Sequence, residues 1–150
     1  MITIELSIKP YSVNKYFYGN RNVKRRETVQ WETCLIELLR PEKYQSDFEA
    51  LKAEFDPTKH CFHIEIECYY PREILFTKTG CLSSRAFDLT NTEKPLVDVI
   101  FLEKYATNTI KNIGIDDKYI TKMTSEKLPS DKHKIIIKIQ LKSLQYLLDI

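Results

Sequence analysis

The stretch Cys61 to Tyr70 alternates strictly, with Phe62, Ile64, Ile66 and Cys68 set against His63, Glu65 and Glu67. Side chains on a strand point to opposite faces in turn, so this stretch requires a sheet with one buried and one wet face. Ile2, Ile4, Leu6 and Ile8 alternate with Thr3, Glu5 and Ser7 in the same way and give a first strand. Tyr119 to Lys127 and Lys134 to Leu141 read as two last strands, joined through Leu128 to His133 as an antiparallel hairpin. The run Ile135-Ile136-Ile137 suggests that the last strand is covered on both faces for part of its length.

The other apolar residues recur at helical spacing. Glu27 to Leu39 reads as a helix with Trp31, Leu35, Leu38 and Leu39 inward and Pro41 marking its end. A weaker helix runs from about Asp47 to Phe55, ended before Pro57. Between Asp88 and Asp116, the residues Leu96, Val99, Ile100, Leu102, Ile110 and Ile113 predict one amphipathic helix of ordinary or slightly long length. Pro95 is tolerated in a first turn, which sets the start near Asn91 or Thr92, and Gly114 follows as a C-cap would. The expectation is one α+β domain over residues 1–150, a mixed sheet of about four strands with packed helices. Repeats and low-complexity segments are absent from the sequence.

At 150 residues, 43% of them hydrophobic and 29% charged, the chain suits a soluble domain with one core. It has no apolar run near the roughly 20 residues of a membrane span. Met1 to Ile8 reads as a strand and does not resemble a signal peptide. Cys34, Cys61, Cys68 and Cys81 lack Cys-x-x-Cys spacing and sit in apolar contexts, which points to buried thiols in a reducing, cytoplasmic setting. His60 and His63, three apart on a strand, fall on opposite faces and cannot share a metal, and neither they nor His133 is given a role.

With 23 basic and 21 acidic residues the net charge is only +2, so placement matters more than the total. Arg21, Lys24, Arg25 and Arg26 cluster in a stretch that also holds Tyr16, Phe17, Tyr18 and Asn20. Such a mixture can neutralise phosphates and stack on unpaired bases, although a solvated loop would look the same. A second basic stretch, Lys78 to Arg85, leads directly into Asp88, where Arg85 could meet a phosphate.

Asp88, Asp98, Asp116 and Asp117 flank the third predicted helix together with Lys94. Mg²⁺ dehydrates reluctantly and takes a few carboxylates plus substrate phosphate oxygens, so acids converging on a small volume are the material of a metal-dependent phosphodiester site. Lys94 and Asp98, four apart, share a helix face. Taken singly, each has a structural reading: Asp88 as a turn residue, Lys94 and Asp98 as a surface ion pair, Asp116-Asp117 as a polar turn.

Jointly, Asp88, Asn91, Lys94, Asp98, Gly114 and Asp116-Asp117 match the core signature of the RusA-like Holliday-junction resolvases, endonucleases of bacteria and their phages. Pro10-Tyr11-Ser12-Val13-Asn14-Lys15-Tyr16 likewise resembles the Pro-x-Ser-x-Asn-x-aromatic segment after the first strand of that family, and the resemblance runs from about Ile2 to Leu141. It implies a homodimeric, Mg²⁺-dependent (Mn²⁺ also accepted) endonuclease acting on four-way or otherwise branched DNA. Asp88 and Asp117 would be direct ligands, with Asp98 or Asp116 supporting, and Lys94 would face the phosphate. Asn91 would orient a ligand or cap the helix, and Asn14, Lys15, Arg21, Lys24, Arg25, Arg26 and Arg85 would contact DNA. Two departures stand out. Thr90 occupies the place where many members carry a second Asp, and the connection from Glu103 to Lys111 is longer than in compact members. Thr90 also keeps a non-catalytic DNA-binding relative in play, and a protein-interaction domain with an acidic surface turn is the third reading. Leu144, Tyr146, Leu147, Leu148 and Ile150 are candidates for a dimer surface.

Overall fold

The computed structural model describes residues 1–12 and 24–150, so Asn14, Lys15, Tyr16, Phe17, Tyr18, Asn20 and Arg21 lie outside the described residues. The element order is β1 (Ile2–Leu6), α1 (Arg26–Leu38), α2 (Glu42–Glu54), β2 (His60–Pro71), α3 (Arg72–Leu75), α4 (Leu89–Phe101), β3 (Ile120–Ser130), β4 (Lys134–Ser143) and α5 (Gln145–Leu148), with 3₁₀ turns at Glu103–Tyr105 and Asp117–Tyr119. This is an α+β arrangement on one mixed four-stranded sheet of order β1-β4-β2-β3.

The alternation does what its period requires. Ile4 and Leu6 of β1, Phe62, Ile64, Ile66, Cys68 and Tyr70 of β2, and Ile135, Ile137 and Ile139 of β4 are all buried under the helices. Their neighbours Glu5, His63, Glu65, Glu67, Lys138 and Gln140 pair across the opposite, open face. Ile136 points to that open face and is half-buried beside Glu5 and Glu67, so β4 is covered on both faces only in part.

Four expectations are corrected. β3 and β4 do not pair as a hairpin: β2 lies between them, parallel to β3 and antiparallel to β4. Asp131 to His133 therefore pass over the end of β2, and the long apolar face of β2 takes the central position. α2 begins at once after Pro41, whose carbonyl accepts from the Tyr44 N–H at 3.0 Å. Tyr44, Phe48 and Leu51 bury one face of that helix, which makes it longer than its weak central pattern suggests. Cys61 and Cys68 are buried, but Cys34 and Cys81 are exposed, on α1 and in the Thr77–Cys81 turn, and all four are free thiols.

The fourth correction shapes the rest of the molecule. α4 starts at Leu89 with Asp88 at its N-cap position and holds Pro95 inside. Proline removes only the bond to the Asn91 carbonyl, and Asn91 is half-exposed, where solvent can serve it. α4 then stops at Phe101, well before Ile110 and Ile113, because a return strap takes its last carbonyls. The Asn112 amide donates to Val99 O at 2.8 Å and Leu102 O at 2.7 Å. The Ile113 N–H bonds to Ile100 O at 2.9 Å and that of Ile115 to Phe101 O at 3.0 Å. With those carbonyls satisfied there is no ladder left to continue. Gly114 is no helix cap; its φ of +64° turns the strap between the two isoleucine bonds, and a Cβ there would meet the Lys52 side chain at 2.9 Å.

Two outcomes test this packing. Asn112→Ala should destabilise the chain by about 1–3 kcal/mol for each carbonyl it strands, read as a shift in urea midpoint at constant slope; an unchanged midpoint would remove the strap from the account. His63, on the open face, has its pKa lowered by partial burial and by the Lys142 and Lys122 ammoniums. The unfolded chain therefore takes the proton first, and stability falls as pH drops below about 6.5. The loss in melting temperature between pH 7.5 and 5.5 should be smaller in His63→Gln; an identical loss would contradict it.

A candidate acidic groove between α4 and the start of β3

Residues three and four apart on a helix form a row, and on α4 the row Thr90, Glu93, Lys94, Val97, Asp98 lines a groove of about 350 Å³. Asp117, Ile120 and Met123 complete the lining from the 3₁₀ turn and β3. The strap bonded to the end of α4 delivers Asp117 there. Lys94 Nζ donates to Asp98 Oδ2 at 3.1 Å, with the Asp98 side chain 9% exposed and that of Lys94 61% exposed. The carboxylate is thus fixed in the protein while the ammonium stays at the surface.

Electrostatically the groove favours a cation. It gathers the carboxylates of Glu93, Asp98 and Asp117 against the ammonium of Lys94. Glu93 is a carboxylate that the sequence reading missed. Its Oε1 accepts from the Ser125 hydroxyl of β3, and its three-residue spacing from Thr90 was the available signal.

Of the four aspartates, Asp98 and Asp117 line the groove, and Asp88 and Asp116 are outside its lining. Asp88 is exposed, outside the groove lining, and makes no side-chain cap bond. It stands ten residues before Asp98, about 15 Å along the helix axis. Its neighbour Ala86 accepts from Lys127 Nζ at 3.4 Å, whereas Asp117 precedes Ile120, which pairs with Phe62. Ile120 and Lys127 are about 23 Å apart along β3, and Asp98 and Asp117 are the two aspartates that line the groove. Asp116 is occupied locally: its Oδ1 accepts the Lys118 N–H at 2.8 Å. Among the described residues, no three His, Cys, Asp or Glu side chains form a closed ligand cluster.

The basic residues divide similarly. Lys24 Nζ donates to Glu32 Oε2 at 2.7 Å and to the Tyr105 hydroxyl at 2.8 Å, tying α1 to the turn after α4. Burial opposes the charge of Lys24, but the bonds to Glu32 and Tyr105 together raise its pKa. Arg85 donates to the carbonyls of Glu73 and Phe76 and, through Nε, to the Ser83 hydroxyl at 3.1 Å, which stitches its own loop to α3. Arg26 is exposed at the first position of α1, and Arg25 occupies its N-cap position. Asn91 donates its backbone N–H to Asp88 O at 3.0 Å in the first turn of α4.

No protein-family model matches the chain, and no curated protein matches it in sequence.

Thr90→Asp should add a carboxylate to the groove and tighten Mg²⁺ binding, measured by calorimetry without DNA. No change in affinity would show that position 90 does not face the ion.

Proposed function

We propose that this chain is a Mg²⁺-dependent endonuclease that cuts branched DNA, four-way junctions above all, as a homodimer, with Mn²⁺ able to replace Mg²⁺. The observation that carries the reading is the fixed Lys94–Asp98 pair facing the same groove as Asp117. The donor set suits the ion: Mg²⁺ keeps several waters and uses one or two protein carboxylates beside phosphate oxygens, so an open groove with Asp98, Asp117 and Glu93 fits it better than a closed cage would. Asp98 and Asp117 would hold the ion, with Glu93 across from them. Asp88, which the resemblance makes a direct ligand, stands at the N-cap position of α4. When bound, Mg²⁺ polarises a phosphate and acidifies an attacking water.

Lys94 has two states in this reading. Without substrate it neutralises Asp98; were Asp98 to hold a cation, the exposed ammonium would be free to face the phosphate and offset charge there. Two nicks across a junction of roughly two-fold symmetry call for two sites related by a two-fold axis, which a dimer provides. Leu147, Leu148 and Ile150 are exposed apolar residues that such an interface could cover. Among the described residues, no helix is long and apolar enough to cross a membrane.

A specific observation favours a second reading, a DNA-binding relative without catalysis. Asp88 does not line the groove that holds Asp98 and Asp117, and Thr90 stands where the resemblance places a carboxylate. The two readings part on one experiment. Asp98→Asn and Asp117→Asn should each abolish Mg²⁺-dependent cleavage of a four-way junction while leaving junction binding in EDTA intact. Wild-type binding without cleavage in Mg²⁺ or Mn²⁺ would support the second reading; absence of both would end the nucleic-acid account.

A further inference from the structure

The open face of the sheet is sorted by charge. Toward one end Glu5, Glu67 and Glu126 share a row with Ile136, and two of these acids are answered, by the ion pairs Lys134–Glu5 at 3.7 Å and Lys138–Glu67 at 3.8 Å. Toward the other end His63 of β2 sits between Gln140 of β4 and Lys122 of β3, with Lys142 two residues further along β4. A recess of about 200 Å³ opens there, lined by the ammoniums of Lys122, Lys138 and Lys142, by His63, Thr124 and Gln140, and by the carboxylate of Glu65. Among the described residues, Lys122 and Lys142 make no ion pair. His63 is held from the far side: its Nε2 bonds with the Tyr146 hydroxyl of α5 at 2.8 Å, and that hydroxyl bonds with Thr121 Oγ1 at 2.8 Å. Nδ1 is therefore the ring nitrogen left to a ligand. Partial burial, then the ammoniums of Lys142 and Lys122, hold the His63 pKa below its usual value, which reports positive charge gathered without a counter-ion.

We propose that this recess seats a backbone phosphate of bound DNA, and the proposal rests on the DNA-binding reading above. The space is smaller than the roughly 300–1,000 Å³ of pockets that enclose a whole ligand, so it suits one charged group of a larger molecule lying on the surface. Lys122 and Lys142 supply charge, and Gln140 and Thr124 supply donors of the kind that position a nucleic-acid backbone without reading its sequence. The recess also stands in the right place. β3 is an edge strand; its Met123 lines the acidic groove, while Lys122 and Thr124 on either side of Met123 line the recess. DNA with one phosphate in the groove reaches the recess by crossing a single strand edge. A phosphate seated there favours the protonated form of His63, against Lys122 and Lys142; Lys138, Glu65 and the Tyr146 hydroxyl are the other groups that face the ring.

Two measurements test the seat, both in EDTA on the full chain. Lys122→Gln/Lys142→Gln removes two charges and keeps most of each side chain. Binding of a labelled four-way junction, followed by anisotropy from about 50 to 200 mM salt, should lose roughly 0.9 of log–log slope for each ammonium. Lys43→Gln/Lys132→Gln, which removes two exposed ammoniums elsewhere, should keep the wild-type slope. In the wild-type chain, the His63 ring signals, assigned by their loss in His63→Gln, should titrate at higher pH with the junction bound than without it. An unchanged slope in the first variant, an equal loss in the second, or a His63 titration that does not move in the saturated complex each overturns the phosphate seat and leaves the DNA reading standing. Absence of junction binding by the wild-type chain overturns both. Because the His63 titration uses the unaltered protein, a folding defect in a lysine variant would not rescue the proposal.

Discussion

α4 is buried on nearly every side from Pro95 onward, with Leu96, Val99, Ile100 and Phe101 at most 1% exposed within the same cluster as Ile64, Ile66, Ile137 and Ile139. A helix packed this way cannot turn about its axis without opening cavities, and each apolar side chain withdrawn from such a core costs about 2–5 kcal/mol. Its remaining polar row, Thr90, Glu93, Lys94 and Asp98, is therefore fixed in direction. The strap through Asn112, Ile113 and Ile115 then fixes the partner side, because the bonds that end the helix also hold the segment that carries Asp117. Helix, strap and groove are one construction.

The Lys94–Asp98 pair is not a stability device. A largely exposed ammonium gains little from an ion pair, typically about 0–1 kcal/mol, while a carboxylate as enclosed as Asp98 carries a desolvation cost. A second carboxylate, Asp117, in the same groove adds repulsion. That a fold retains this arrangement beside its best-packed helix is the physical reason to read it as a site for a cation. One turn on from Thr90, Glu93 supplies a groove carboxylate that is held by Ser125 of β3.

The sheet was legible because period-two alternation reports burial directly: β1, β2 and β4 follow from Ile4, Ile64 and Ile137 and their polar neighbours. Pairing was not, since nothing in Leu128 to His133 reveals that a strand from earlier in the chain lies between β3 and β4. The end of α4 was hidden for a related reason. Ile110 and Ile113 are buried as the pattern requires, but periodicity records burial and not which carbonyl each N–H answers. Of the site, the Lys94–Asp98 pair was readable from four-residue spacing on one helix. That Asp98 and Asp117 share a groove that Asp88 does not line was not, because it depends on how α4 packs against β3. The use of Arg85 and Lys24 in structural bonds likewise depends on contacts with Glu73, Phe76, Glu32 and Tyr105 that are remote in sequence or set by loop shape.

The central claim is that one groove, built by α4 and the strap, is where a divalent cation binds. Paramagnetic line broadening of backbone amide signals by substoichiometric Mn²⁺ tests it without relying on activity. The account predicts that signals of Glu93, Lys94, Asp98, Asp117 and Lys118 are lost first and recover on addition of excess Mg²⁺, while that of Asp131, past the far end of β3, stays sharp. Broadening centred on Asp88, or spread evenly over the exposed carboxylates, would contradict it.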